Sequence, residues 1–244
     1  PLANESLKIE NDSDRSATGA LADQISSLQS ALTPLGTQAE LDPAAKQALE
    51  RLPAVIRSRA AGGAALSSNA LAAVVTPAES PDTTIGVLKG LLGAIEGRLA
   101  SVKSKVEGQQ ALARATPSIW PLAGWLSSGF GNRKDPFDGS PDFHPGLDIA
   151  ADKGTPVRAT ADGTVESAAY NGAYGNAVLV NHGFGISTRF GHLSGFAVRA
   201  GQQVHRGDVV GYVGSTGRAT SAHLHYEILL NGQQINPLRL LARP

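Results

Sequence analysis

The chain has 244 residues with 21 basic and 21 acidic side chains, so its formal charge is zero and no global field recruits nucleic acid or an anionic membrane. Cysteine is absent, which excludes disulfides, cysteine nucleophiles and thiolate metal sites and leaves histidine and carboxylate as the strong ligands. No apolar run is long enough for a membrane span and Pro1-Leu2-Ala3-Asn4-Glu5 is no signal peptide; without any methionine, the chain is expected to be a processed or truncated product from which an export signal or anchor was removed.

Residues 1–116 contain no aromatic side chain and read as helices. Leu21, Ile25, Leu28 and Leu32 recur at helical spacing before Pro34, which predicts a helix over residues 17–33. Asp42-Pro43 is an N-cap followed by proline at the first helical position and opens a segment through Leu49, Leu52 and Ile56, with Pro53 set to kink or shorten it. A further short helix is expected over residues 64–75. Ile85, Leu88, Leu92, Ile95, Leu99, Val102 and Val106 alternate steps of three and four, a heptad seam on one long helix over residues 82–114. This region is expected to be a helical hairpin or coiled-coil bundle that positions or regulates the C-terminal half, pairs with a protein partner, or self-associates.

From Trp120 the pattern changes to short strands separated by glycine turns, which gives an α+β chain with an antiparallel all-β domain over residues 117–244. Strands are expected over 157–160, 163–169, 177–181, 186–191, 209–213 and 223–230. In the last of them His223 and His225 project to one face and Leu224 to the other. His144 and Asp148 share parity in an extended segment, and His192 enters from another strand end. Two imidazoles and a carboxylate are ligands zinc takes, and three protein ligands leave an open tetrahedral position for hydrolysis of an amide or ester. If His144, Asp148 and His225 bind the ion, His192 and His223 remain for proton transfer and oxyanion stabilisation. There is no His-Glu-x-x-His to supply a helix-borne base.

Other residues keep two readings. Arg133 binds a substrate carboxylate or pairs with Asp135 or Asp138. Tyr174, in Ala173-Tyr174-Gly175-Asn176, lines the cleft and steadies the oxyanion or packs in the core with one hydrogen bond. Glu227 orients an imidazole or makes a surface salt bridge. His182 fits a turn or packing role, and His205 an exposed one.

The ordered blocks Ser128-Gly129-Phe130-Gly131-Asn132-Arg133, His144-Pro145-Gly146-Leu147-Asp148, Gly154-Thr155-Pro156-Val157, Ala161-Asp162-Gly163-Thr164-Val165, Tyr174-Gly175-Asn176, Gly191-His192-Leu193 and His223-Leu224-His225-Tyr226-Glu227 resemble the lysostaphin-type (LytM-like) zinc peptidases over residues 120–240. The resemblance implies one zinc ion (Zn2+) on His144, Asp148 and His225 and catalytic roles for His192 and His223; Tyr174, Arg133 and Asn176 are the substrate contacts expected beside them. It also implies a peptidoglycan endopeptidase of the bacterial cell envelope, periplasmic or extracellular. Phe190-Gly191 before His192 departs from the more usual tyrosine and small residue. The competing expectation is a non-hydrolytic envelope factor that binds and activates another wall hydrolase. A third is a helical half that blocks the cleft with an Asn, Asp or Glu side chain.

Overall fold

The computed structural model describes residues 43–58 and 81–241, with isolated positions between 16 and 27. The helix expected over residues 17–33 falls largely outside the described residues, and the one over 64–75 does so entirely. Helix α1 (Pro43–Glu50) begins at the expected proline, and a tight turn at Arg51–Pro53 separates it from α2 (Ala54–Ser58). Pro53 has no N–H and its ring collides with the carbonyl four residues back, so the helix stops and restarts. Helix α3 (Pro81–Ala115) is the long one, and the five glycines within it do not break it. Leu88, Ile95 and Val102 of its apolar seam are 44%, 49% and 52% exposed, so coiled-coil pairing along the seam is not shown among the described residues.

The strands are β1 (Trp125–Ser128), β2 (Gly131–Lys134), β3 (Pro141–His144), β4 (Leu147–Ala150), β5 (Pro156–Arg158), β6 (Gly163–Tyr170), β7 (Asn176–Gly183), β8 (Ile186–Leu193), β9 (Gly195–Phe196), β10 (Gln203–Val204), β11 (Val209–Tyr212), β12 (His223–Leu230) and β13 (Gln233–Ile235). All pairings are antiparallel. The main sheet runs β1-β4-β12-β8-β7-β6-β10, with β13 against the end of β12; β5-β11-β9 form a small second sheet and β2-β3 a hairpin. The six expected strands are all present. Those not foreseen are short or polar, where alternation has too few residues to register.

Strand β12 is central, and every one of its residues is buried. Opposite residues of an antiparallel pair share a face. Leu224 faces Ile149, and Tyr226 faces both Leu147 and Phe190, so this side of the sheet is the core, with the Phe190 and Tyr226 rings 5.4 Å apart. His225 faces Asp148 and Gly191, and Glu227 faces Arg189, so polar groups occupy the other side. The same core includes Leu52 of the turn between the short helices, Ile56 of α2, Leu112, and Leu240 and Leu241. Residues 43–58 and the chain from Gln109 onward form one compact unit. At the end of α3, Arg206 Nη2 donates to the carbonyls of Ala113 at 2.7 Å and Thr116 at 3.2 Å, satisfying acceptors the helix cannot.

His182 is buried in β7, where Nδ1 donates to the Asp162 carbonyl at 2.7 Å and Nε2 accepts from the Thr188 hydroxyl at 2.8 Å. His205 is exposed, at 3.7 Å from Asp162. Burial lowers the His182 pKa to about 4, against the pull of the Asp162 carbonyl. Between about 6.5 and 4 the unfolded chain therefore binds a proton that the folded chain refuses. Stability is intact above pH 6.5 and declines as pH falls, by on the order of 3 kcal/mol by the bottom of the window. Urea denaturation across pH 4–7 checks this: His182→Gln should flatten the decline, and an equally steep decline in that variant would contradict the assignment.

Candidate metal centre

Three elements bring the site together. His144 ends β3, Asp148 lies in β4 after the turn at Pro145-Gly146, and His225 lies opposite Asp148 on β12. His144 Nε2, Asp148 Oδ1 and His225 Nδ1 form a nearly equilateral triangle with sides of 3.0, 3.0 and 2.9 Å. All three residues are buried. Tetrahedral zinc with bonds of 2.0–2.1 Å sets its donors about 3.3 Å apart, close to this spacing.

The positions of the ring protons decide what the centre can hold. His144 Nδ1 lies 2.8 Å from the Gly129 carbonyl, which can only accept, so that nitrogen carries the hydrogen and Nε2 presents a lone pair. His225 Nε2 donates to Glu227 Oε1 at 3.1 Å, leaving Nδ1 as the inward lone pair. Burial pushes the Asp148 carboxyl upward, yet when protons rather than an ion fill the triangle, the hydrogen bonds and charge of protonated His144 and His225 outweigh burial and hold the group ionised, well below the usual carboxylate range. Burial pulls His225 down, and the bonds its protonated ring makes to Asp148 and Glu227 more than offset this and raise it, so a proton is the competitor of a cation at Nδ1. Three acceptors at contact repel one another unless positive charge lies between them. The donor set, the spacing and the field all fit a divalent cation of zinc's preferences.

His192 and His223 flank this centre with the same polarity. His192 Nδ1 donates to the Thr216 carbonyl at 2.8 Å and His223 Nδ1 to the Ser221 carbonyl at 2.8 Å, so both present Nε2 as an acceptor. Their rings are 4.7 Å apart, and His223 Nε2 is 3.7 Å from Asp148 Oδ1. Burial lowers the His192 pKa to about 4, opposed by the Thr216 carbonyl. His192 also has a left-handed backbone, φ 59°, a conformation that costs a non-glycine residue about 1 kcal/mol or more and clusters at functional positions. The loop that supplies the Thr216 carbonyl packs backbone to backbone on Gly175, where a Cβ would collide with Thr216. A cleft of about 210 Å³ opens here, lined among others by Arg133, His144, Tyr174, His192, Arg218 and His223.

The remaining expected residues are engaged with the protein. Arg133 Nη1 donates to Asp148 Oδ2 at 3.0 Å and Ser128 Oγ at 2.8 Å, and Nε approaches Asp142 at 3.5 Å. Its carboxylate partners are therefore Asp148 and Asp142 in place of Asp135 or Asp138; Asp135 pairs with Arg218 at 2.8 Å. Tyr174 is at the cleft and its hydroxyl donates to Glu227 Oε1 at 2.8 Å. Asn176 Nδ2 donates to the Leu193 carbonyl at 3.2 Å, which braces the loop behind His192. Glu227 is completely buried, so its role is internal rather than at the surface. Sequence reasoning missed Arg189, which pairs with Glu227 at 2.6 Å. Its only signal is a β8–β12 register that no local pattern specifies.

A buried His-Asp-His triangle that could hold a metal ion thus lies, with two further imidazoles, on the polar face of an antiparallel sheet. Residues 142–237 match the family model described as peptidase family M23. It is 49% identical over 113 residues to the DD-carboxypeptidase/endopeptidase Mpg of Neisseria meningitidis, covering 46% of this chain and 26% of that protein. It is 42% identical over 113 residues to the peptidoglycan DD-endopeptidase ShyC of Vibrio cholerae, again 46% of this chain and 26% of that protein. The chain thus spans about a quarter of the length of these curated relatives. Among solved structures, a zinc containing peptidase from Vibrio cholerae is 34% identical with a TM-score of 0.46, covering 51% of this chain and 39% of that one.

Gly146 makes the triangle possible, because a Cβ there would lie 2.5 Å from the Tyr226 carbonyl oxygen and 3.0 Å from His225 Cε1. Gly146→Ala must push the β3–β4 turn away from β12. We expect calorimetric Zn2+ affinity to fall at least tenfold, with a stability loss of about 1–3 kcal/mol. Wild-type affinity in Gly146→Ala would show that the turn does not set the ligand spacing.

Proposed function

We propose that residues 117–244 are a zinc-dependent endopeptidase that hydrolyses a peptide bond of bacterial peptidoglycan, with residues 1–116 placing or controlling it. One observation supports this most: three buried acceptors lie within 3.0 Å of one another, beside two imidazoles fixed with Nε2 inward. His144, Asp148 and His225 would hold one zinc ion. When bound, such an ion supplies Lewis acidity, which polarises a carbonyl and makes water acidic enough to attack at neutral pH. His192 and His223 are the proton carriers: a neutral imidazole at Nε2 accepts the proton of the attacking water, and the same proton is delivered to the leaving amine as the C–N bond breaks. Arg133 pairs with Asp148 and, with Tyr174, shapes the wall against which the peptide lies. Asn176 supports that wall from behind.

The names of the Neisseria and Vibrio relatives support a bond of the DD class. Such a substrate places the protein in the bacterial cell envelope, periplasmic or outside the cell. The helices before residue 117 would be the surface for a protein partner or a second copy.

Purified sacculi incubated with the chain should release new amine groups, and a chelator should stop the release. His192→Ala and His223→Ala should retain zinc while turnover falls about 10²- to 10⁴-fold. Loss of zinc from both variants would mean that ligands and proton carriers are misassigned. Absence of chelator-sensitive release from every wall type would favour the non-hydrolytic activator.

A further inference from the structure

Behind His225, on the side away from the triangle, lies a second buried charge cluster. Glu227 is 0% exposed and its carboxylate receives three donors. Arg189 Nη1 reaches Oε2 at 2.6 Å, while the Tyr174 hydroxyl at 2.8 Å and His225 Nε2 at 3.1 Å share Oε1. Arg189 also lies over the Tyr174 ring, 4.5 Å from its centroid. Strand register sets these contacts, since Glu227 and Arg189 are directly opposed on β12 and β8. An ion pair that only tied the two strands together would account for Oε2. It would not account for Oε1, which is turned to the ring of a metal-site histidine.

Direction matters in this chain of bonds. An imidazole can offer a lone pair at Nδ1 only while its proton is held at Nε2, and a carboxylate that can only accept is the partner that holds it there. A buried carboxylate stays in that state when a cation compensates it, which is what the Arg189 guanidinium provides. We propose that Glu227 and Arg189 are positioning residues for His225: Glu227 fixes the ring's proton on Nε2 and its rotation, and Arg189 holds Glu227 as a pure acceptor. The inference deepens the zinc reading and rests on it. Tyr174 is then a passenger on the same carboxylate, held at the cleft wall by the oxygen that orients the ligand.

The test is zinc affinity of the full chain, measured by competition with a chromophoric chelator, together with the imidazole ¹⁵N spectrum at a zinc level that saturates the wild type. In Glu227→Gln the amide nitrogen cannot sit against Arg189, so it turns to His225, donates to Nε2 and transfers the ring proton to Nδ1. Zinc affinity should fall 10- to 100-fold, and the His225 signal should change from Nε2-protonated to Nδ1-protonated. Arg189→Met, which leaves a smaller hole at a partly exposed side chain, should lose about tenfold. Tyr174→Phe removes a donor from the same carboxylate and should stay within about threefold. A folded Glu227→Gln or Arg189→Met chain with wild-type affinity and an Nε2-protonated His225 would overturn the proposal. Should Glu227→Gln fail to fold, Arg189→Met decides alone. Wild-type affinity in His225→Ala would instead overturn the ligand assignment beneath it.

Discussion

The site is organised by hydrogen bonds that point away from it. His144, His192 and His223 each give the Nδ1 proton to a backbone carbonyl, and His225 gives its Nε2 proton to Glu227. Every nitrogen facing the cleft is consequently available as a lone pair to a cation or a proton. Asp148 adds an ionised oxygen to the same space. Such an arrangement is unfavourable by itself and is held by the sheet around it, so it attracts a cation and can accept protons. Binding and proton transfer thus derive from one device, a set of tautomers fixed from outside.

The fold supplies the rigidity this requires. Strand β12 is buried along its whole length between β4 and β8, so His223, His225 and Glu227 cannot rotate to the other face without a register slip that would expose Leu224, Tyr226 and Ile228. Local conformation is adjusted only where the chain must approach itself. Gly146 lets the turn after His144 lie against His225, and Gly175 lets its loop meet Thr216. His192 has no such freedom and adopts a left-handed backbone all the same, so its strain is offset by the packing and hydrogen bonding of β8 and the Thr216 loop.

Much of this is legible in the sequence because the side-chain period of a strand is two. The alternation His223-Leu224-His225-Tyr226-Glu227 already separates a polar face from an apolar one, and the observed burial partners follow that division. Proline at 43 and 53 marks the ends of the short helices for equally local reasons. Relations between distant segments are what a linear reading does not disclose. Such a reading matches Arg133 with its neighbours Asp135 and Asp138, whereas hairpin β2–β3 turns it toward Asp142 and Asp148. Arg189 escapes it because the partner carboxylate lies 38 residues away on an adjacent strand. The glycine in His-Pro-Gly-Leu-Asp reads as a turn residue, although its lack of a side chain serves the contact with His225.

The most direct measurement of the central claim is anomalous diffraction at the zinc absorption edge from crystals of the zinc-loaded chain. One strong peak is predicted within bonding distance of His144 Nε2, an Asp148 carboxylate oxygen and His225 Nδ1, with His192 and His223 nearby but unligated. A peak bound instead through His192 or His223, or one saturated by a fourth protein donor, would contradict it.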